Sequence, residues 1–393
     1  MSLYSYREPL VMPSHKAILT GYNWNSEPTL TPQRTPIFLT YSFAPDWDER
    51  RFNKADQKLA RHALKLWGDA CGIRFLETKS VNAEIKFGWY TPFFESSTVA
   101  YAEFPKLYAM DDDAPEEALD RVLGAGRIHF NTQYKDDLKN TSYKLYVMLH
   151  EIGHALGLKH PFHTSPYNKR KLSKADDHSK NTVMSYDNGE SEIYPTKLGP
   201  LDKRAIKELY GSSKTDGKHV AAWSWNKRTE TLTQIGKESA DRIHGTGVKD
   251  VIQGRGGNDR LFGFDGNDTL SGGAGNDTLY GSWGDDIFIF DTPLDPLSNV
   301  DKIIYLEGDD SIYLSSAIFT KLPVGQLSSI HFAVDNTARD ANDYIVFDDD
   351  DGLLFYDPDG SGAAGQILFA KITKAWFDED QYELLSASDF YVV

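Results

Sequence analysis

From Gly236 onward the chain repeats itself every nine residues, and that register restricts what its carboxyl-terminal part can fold into more than any other feature. Gly236, Gly245, Gly254, Gly263, Gly272 and Gly281 each open a unit. Asp241, Asp250, Asp259, Asp268, Asp277 and Asp286 hold the sixth place, and Ile243, Ile252, Leu261, Leu270, Leu279 and Phe288 the eighth. A flexible glycine-rich linker has no reason to keep an apolar residue in phase, so the eighth residue faces a core as part of a short strand while the glycines make tight turns. A coil built of two such units would set partners eighteen residues apart: Asp250 with Asp268, Asp259 with Asp277, Asp268 with Asp286. Aspartate oxygens and turn carbonyls are the hard, multiple ligands that calcium takes. The expected calcium residues are Asp250, Gly256, Asp259, Gly266, Asp268, Gly275, Asp277 and Asp286; the first unit lacks the internal glycine and is the poorest match.

A second constraint lies upstream, in His150-Glu151-Ile152-Gly153-His154-Ala155-Leu156-Gly157-Leu158-Lys159-His160. With Tyr143 to Leu156 helical, His150 and His154 stand one turn apart on one face and converge on one metal ion. Gly157 allows a sharp turn that returns His160 as a third ligand, which leaves the fourth position of a tetrahedral zinc open. Zinc there polarises a carbonyl and brings its water to a pKa of about 7, so Glu151 need only accept the proton and pass it to the leaving amine. The chemistry implied is peptide-bond hydrolysis. A bare His-Glu-x-x-His also arises on ordinary amphipathic helices, whereas the added glycine and third histidine make the pattern specific.

Thr182-Val183-Met184-Ser185-Tyr186 follows, with Met184 placed to pack a polarizable thioether under the histidines as a methionine turn. The extended histidine motif with Met-Ser-Tyr downstream resembles the serralysin branch of the metzincins, and the nonapeptides resemble calcium-binding repeats-in-toxin β-rolls. The resemblance implies one catalytic zinc on His150, His154 and His160. It also implies that Tyr186 is a switchable further ligand that swings off to hydrogen-bond the oxyanion. Upstream, Phe38 to Phe43 alternates like a strand, Lys54 to Cys71 has the spacing of an amphipathic helix, and four short strands follow over Ile73 to Glu77, Ala83 to Trp89, Val99 to Phe104 and Arg127 to Asn131. In the family the strand matching Val99 to Phe104 is the open edge, so Ala100, Tyr101 and Ala102 are expected to pair with an extended substrate. Leu201 to Tyr210 resembles the last helix of the catalytic unit, closed by Gly211.

The expected architecture is an α+β zincin-like catalytic domain, a mixed sheet plus an active-site helix, over residues 21–215. An all-β calcium-binding parallel β-roll or β-sandwich with a capping sheet follows over 216–393, and residues 1–20 read as a propeptide or a disordered start.

A length of 393 residues accommodates two domains, and 25% charged with 40% hydrophobic residues is ordinary globular material. The net charge of −16 argues against nucleic acid and for a cation-binding protein. No membrane span is visible, and Met1 to Met12 is interrupted by Arg7 and Glu8, so no amino-terminal signal peptide is read. Cys71 is the single cysteine, so stability outside the cell would come from calcium rather than a disulfide. Asp389-Phe390-Tyr391-Val392-Val393 resembles the acidic-then-apolar tail that marks family members for type I export, and reads equally as a final buried strand.

The resemblance therefore implies a secreted, monomeric zinc endopeptidase acting on proteins or peptides. Its expected partners are the type I secretion machinery and a small periplasmic β-barrel inhibitor. A calcium-dependent surface-binding or adhesive protein with a vestigial zinc domain is the alternative from another class. A matrixin-like or astacin-like metzincin shares the histidine motif but lacks the repeats.

Overall fold

The structure is a computed structural model that describes residues 14–24, 37–44, 50–105, 107–109, 119–121, 125–189, 193–212, 214, 220–306, 308–373 and 385–393. Its first unit is built on strand β1 (Ile37–Ser42), every residue of which is buried. Helix α1 (Lys54–Ala70) begins where the Asn53 carboxamide oxygen accepts from the Ala55 and Asp56 backbone N–H groups, satisfying donors the helix cannot pair itself. Its Ala60, Ala63, Leu64 and Trp67 recur at helical spacing and are buried together. At about 1.5–3 kcal/mol for each large apolar side chain, this stripe is what holds α1 in place.

Strands β2 (Ile73–Glu77), β3 (Ile85–Tyr90) and β4 (Ala100–Ala102) follow, then a short antiparallel pair, β5 (Leu107–Ala109) and β6 (Leu119–Arg121), and then β7 (Arg127–Asn131). The main sheet runs β2-β1-β3-β7-β4, parallel except for β4, which pairs antiparallel to β7 and forms an edge. Helix α2 (Thr141–Ala155), capped by the Asn140 side chain, crosses beneath it, and Trp67 of α1 donates its indole N–H to the Leu149 carbonyl. Helix α3 (Pro200–Tyr210) closes the unit, with Gly211 following at φ +71°. The β5–β6 pair was not read from the sequence, since three-residue strands carry too little periodicity.

Residues 14–20, part of the stretch expected as a propeptide or a disordered start, are packed into this unit. Leu19 bridges to Leu158, the Thr20 N–H donates to the Gly157 carbonyl at 3.0 Å, and Ala17, Ile18 and Leu19 are almost wholly buried. Residues 1–13, to which a propeptide or disordered start was also assigned, lie outside the described residues.

The second unit contains two eight-stranded sheets. Successive nonapeptides feed alternate sheets. Arg242–His244, Arg260–Phe262 and Thr278–Tyr280 pair in parallel in one, and Asp250–Gly256, Thr269–Ala274 and Ile287–Phe290 in the other. The register joins Ile252 to Leu270 and Leu261 to Leu279, the eighteen-residue offset read from the repeats. The eighth residues of both sheets meet in a single core, all about fully buried. Beyond the repeats, Asp301–Ile304 and Ser311–Leu314 extend the two ladders, and Phe390–Val392 pairs in parallel with the latter. The export-like tail is thus a paired strand with Phe390 and Val392 inside.

The units meet through Phe38, Leu76, Leu232 and the ring of Trp223, which lies 4.9 Å from that of Phe38. Glu84 ties them by hydrogen bonds: its carboxylate accepts from the Thr40 N–H at 2.6 Å and the Thr40 hydroxyl, and from the Gly247 N–H at 2.6 Å. The boundary expected at residues 215 and 216 falls among or beside residues outside the described ones.

Candidate metal centre and catalytic cleft

Helix α2 carries His150 and His154 on one face, and the chain leaves it through Gly157 at φ +97°, a conformation that strains any residue with a Cβ. A Cβ there would also stand 2.3 Å from the Tyr22 carbonyl oxygen, so the motif glycine makes room for the amino-terminal segment as well as for the turn. Gly157→Ala is expected to destabilise the unit by about 2 kcal/mol or more and to lower zinc occupancy, because His160 loses its position. Thermal unfolding and metal content measure both, and a variant with unchanged zinc affinity would refute the account.

The three histidines meet at their Nε2 atoms, each 3.1 Å from the other two. The Nδ1–H groups point away: His150 donates to the Val183 carbonyl and His154 to the Leu158 carbonyl, both at 2.7 Å. Those bonds set the tautomer and leave Nε2 as a bare lone pair. The Nδ1 of His160 lies 3.0 Å from that of His163, and the His160 ring stacks on Phe162. Burial above all, and then a neighbouring imidazole, holds the three pKa values down to about 3, so all three rings are neutral. Three lone pairs this close repel unless a cation sits between them, and nitrogens on a tetrahedral zinc stand about 3.3 Å apart. The residues fit zinc, and among the described residues they are the cluster able to hold a metal ion.

Glu151 follows His150 and is buried, with Oε2 unpartnered. Desolvation pushes its pKa up to about 8, a poise at which a carboxylate both takes and returns protons near neutrality. Tyr186 brings its hydroxyl to 2.8 Å from His160 Nε2. Burial raises its pKa to about 12, so it remains a proton donor. Met184 is fully buried, and a Cβ on Gly153 of α2 would come within 2.5 Å of its sulfur, so glycine is required there for the methionine turn to fit.

Asp202, which belongs to no motif of the sequence, anchors that turn from α3. Its carboxylate accepts from the Thr182 hydroxyl at 2.5 Å and from the Val183 and Gly199 N–H groups at 2.9 and 2.7 Å. The Lys159 ammonium donates to the carbonyls of Ala17, His163 and Arg170, pinning the chain on either side of His160. The partners that give these residues their anchoring roles, Thr182 and Val183 for Asp202 and Ala17 for Lys159, are distant in sequence and leave no local signal. The cleft over the metal centre is a cavity of about 430 Å³ between β4 and the loop after His160, with Ala100, Tyr101, Ala102, Glu151, His154, His160 and Tyr186 in its walls.

In the second unit, each repeat aspartate is joined to the next in its ladder. The Asp250, Asp259 and Asp268 N–H groups donate to the Oδ1 atoms of Asp268, Asp277 and Asp286 at 2.7 to 2.8 Å. The remaining Oδ2 atoms of Asp259, Asp268 and Asp277 are buried without a donor, an arrangement that a cation relieves. Burial is the main cause that raises Asp259 and Asp277 to about 6 and Asp268 well above its usual value. Gly266 and Gly275 take φ +125° and +136° against the backbone one coil earlier, whereas next to Gly256 it is Gly257 that adopts the left-handed turn. The ladder then continues where the nine-residue register ends. Asp277 N–H donates to Asp301 Oδ1 at 3.0 Å and Asp286 N–H to Asp310 Oδ1 at 2.9 Å. These aspartates escaped the sequence reading because their offset is twenty-four residues rather than eighteen.

Residues 33–211 match the matrixin family of peptidases, and residues 235–263 and 262–292 match the calcium-binding nonapeptide repeat of repeats-in-toxin proteins. Serralysin B of Dickeya chrysanthemi is 27% identical over 54% of this chain and 47% of its own length, and serralysin of Proteus mirabilis 28% over 53% and 47%. The chain is similar to the serralysins, with a matrixin-type peptidase region ahead of calcium-binding repeats. Zinc for the histidine triad and calcium for the repeats are the cofactors of such a protein. The chain spans about half the length of the curated relatives it matches. The solution structure of the AlgE6R3 subunit of the Azotobacter vinelandii mannuronan C5-epimerase is 27% identical over 40% of this chain and 80% of that one, with a TM-score of 0.26, too low to speak to the fold. No helix among the described residues is long and apolar enough to cross a membrane.

Proposed function

We propose that this protein is a secreted zinc-dependent endopeptidase that hydrolyses extended protein substrates and is folded and stabilised by calcium. The observation that carries this reading is the unpartnered Glu151 carboxylate oxygen beside three converging imidazole nitrogens in a cleft bordered by an edge strand. His150, His154 and His160 hold the zinc. When bound, zinc supplies Lewis acidity that polarises the scissile carbonyl and acidifies water. Glu151 takes the proton from the attacking water at Oε2 and returns it to the departing amine. Tyr186 moves off the metal centre and donates its hydroxyl to the developing oxyanion. The outer backbone of Ala100, Tyr101 and Ala102 pairs with the substrate, so unfolded or flexible proteins are favoured.

The second unit is read as a parallel β-roll in which Asp250, Asp259, Asp268, Asp277 and Asp286 ligate calcium with turn carbonyls such as those near Gly256, Gly266 and Gly275, and Asp301 and Asp310 continue the set. Export by a type I machinery through the carboxyl-terminal tail, monomeric behaviour and an encounter with a small β-barrel inhibitor belong to the same proposal. The alternative, a calcium-dependent adhesive protein with a vestigial zinc domain, leaves Glu151 and the Tyr186 hydroxyl without a use. Unfolded casein incubated with the zinc- and calcium-loaded protein is expected to be cut at internal bonds, and a zinc chelator to stop it. Intact casein after incubation with protein of verified zinc content would overturn the proposal.

A further inference from the structure

The amino-terminal segment reaches the catalytic cleft as well as the back of the metal helix. Its path is held by the Thr20 hydroxyl, which donates to the Gly157 carbonyl at 2.7 Å and accepts from the Tyr22 N–H at 2.9 Å, and by the Trp24 indole, which donates to the Ala155 carbonyl at 2.9 Å. So fixed at both sides, Tyr22 places its ring in the wall of the 430 Å³ cleft that Glu151 and His154 also line. There it stacks on Phe104 at 6.2 Å and 15°, with Tyr167 set edge-on at 5.2 Å, while Phe104 stands edge-on to the His154 ring at 5.5 Å. Gly21, at φ +100°, is the hinge of this arrangement, since a Cβ there would fall 2.5 Å from the Cβ of Tyr167. Pro166 adds a further apolar surface to the same wall.

We infer that Tyr22, Phe104 and Pro166 form a specificity subsite that takes one bulky apolar or aromatic side chain of the substrate; this rests on the peptidase reading of the cleft. The stacked rings of Tyr22 and Phe104, the latter two residues past the edge strand, offer faces and edges to an aromatic side chain, whereas a charged one would lose its hydration against them. Phe104 lies beyond the carboxyl-terminal end of β4. A substrate running antiparallel to that strand lays the residues before its scissile bond along Ala102 and Phe104. The side chain selected is therefore on the amino-terminal side of the bond cut. Tyr22 is supplied from more than a hundred positions before the metal motif, and its fixed place comes from the staple onto Gly157 and Ala155.

The test compares kcat/KM for two peptides differing only in phenylalanine or glycine at that position, with zinc content and thermal unfolding recorded for every variant. The wild type is expected to prefer phenylalanine by about tenfold or more, the range that one well-packed apolar group provides. Tyr22→Ala and Phe104→Ala are expected to bring the ratio near unity, and Tyr22→Phe to retain it because the ring remains. A ratio unchanged in a folded, zinc-loaded Tyr22→Ala overturns the subsite, as does a preference that moves only after the scissile bond. Wild-type protein that cuts neither these peptides nor casein overturns the peptidase reading itself, and the subsite with it.

Discussion

Glu151→Gln is expected to lower kcat/KM on unfolded casein by about 10²- to 10⁴-fold while the protein keeps its fold and its zinc. The carboxamide has the same shape, and the three histidine nitrogens proposed to hold the metal are untouched, so the loss reports proton transfer rather than assembly. Glu151 is buried beside the cluster with an oxygen that no protein donor reaches, so its place there is not explained by a structural bond. Burial alone pushes its pKa up to about 8. A base works in its ionised form, so the wild-type rate should rise with pH through the pKa of this group, and a bound dication draws that limb below 8. The glutamine variant should lose the limb as well as the rate. Activity within tenfold of wild type, at equal zinc content, would remove Glu151 from the mechanism.

Withdrawing calcium at neutral pH is expected to unfold most of the second unit, read as loss of its β-sheet circular dichroism and its thermal transition. Each site filled at a hundredfold excess over its Kd adds about 2.7 kcal/mol, so a few sites equal the whole margin of about 5–15 kcal/mol by which domains are stable. Without the ion, the carboxylates face one another in a dry interior: Asp268 is raised by burial and then by Asp250 and Asp286, and Asp301 to about 8 by burial and then by Asp277. These pKa values lie above those of the unfolded chain, so the folded calcium-free state binds protons more tightly. Its stability is therefore full below about pH 4 and declines as pH rises through about 6 for Asp259 and Asp277 and about 8 for Asp301. A chelator should accordingly unfold the unit far more readily at pH 8 than at pH 5. A spectrum indifferent to chelator across that range would show that the ladder stands without calcium.

Both predictions draw on residues that local patterns reveal. The histidines, Glu151 and the repeat aspartates occupy fixed intervals set by the geometry of one helix turn and one coil, and so they can be read in one dimension. Asp301 and Asp310 do the same work in the ladder as the repeat aspartates, yet a connection of a different length hides them. Asp202, Lys159 and Glu84 were hidden for another reason: each is a single polar residue whose meaning lies in partners brought from elsewhere, to the methionine turn, the loop carrying His160 and the junction of the two units. Buried polar groups must find partners wherever the fold supplies them, and no spacing rule says where that will be.

The amino-terminal residues make the same point. Read alone, residues 1–20 carry no assignable motif and read as a propeptide or a disordered start. In the fold, Leu19 pairs with Leu158 and the Tyr22 carbonyl fills the space that Gly157 leaves open. The metal-binding pattern, the parallel register of the repeats and the order of the two units are legible in the amino acids alone, because each follows from intervals between neighbouring residues and from the dihedral angles that glycine permits. How the cleft is walled, how the methionine turn is anchored and how the units are joined emerge with the folded chain, because those depend on contacts between residues whose separation along the chain bears no relation to their distance in space.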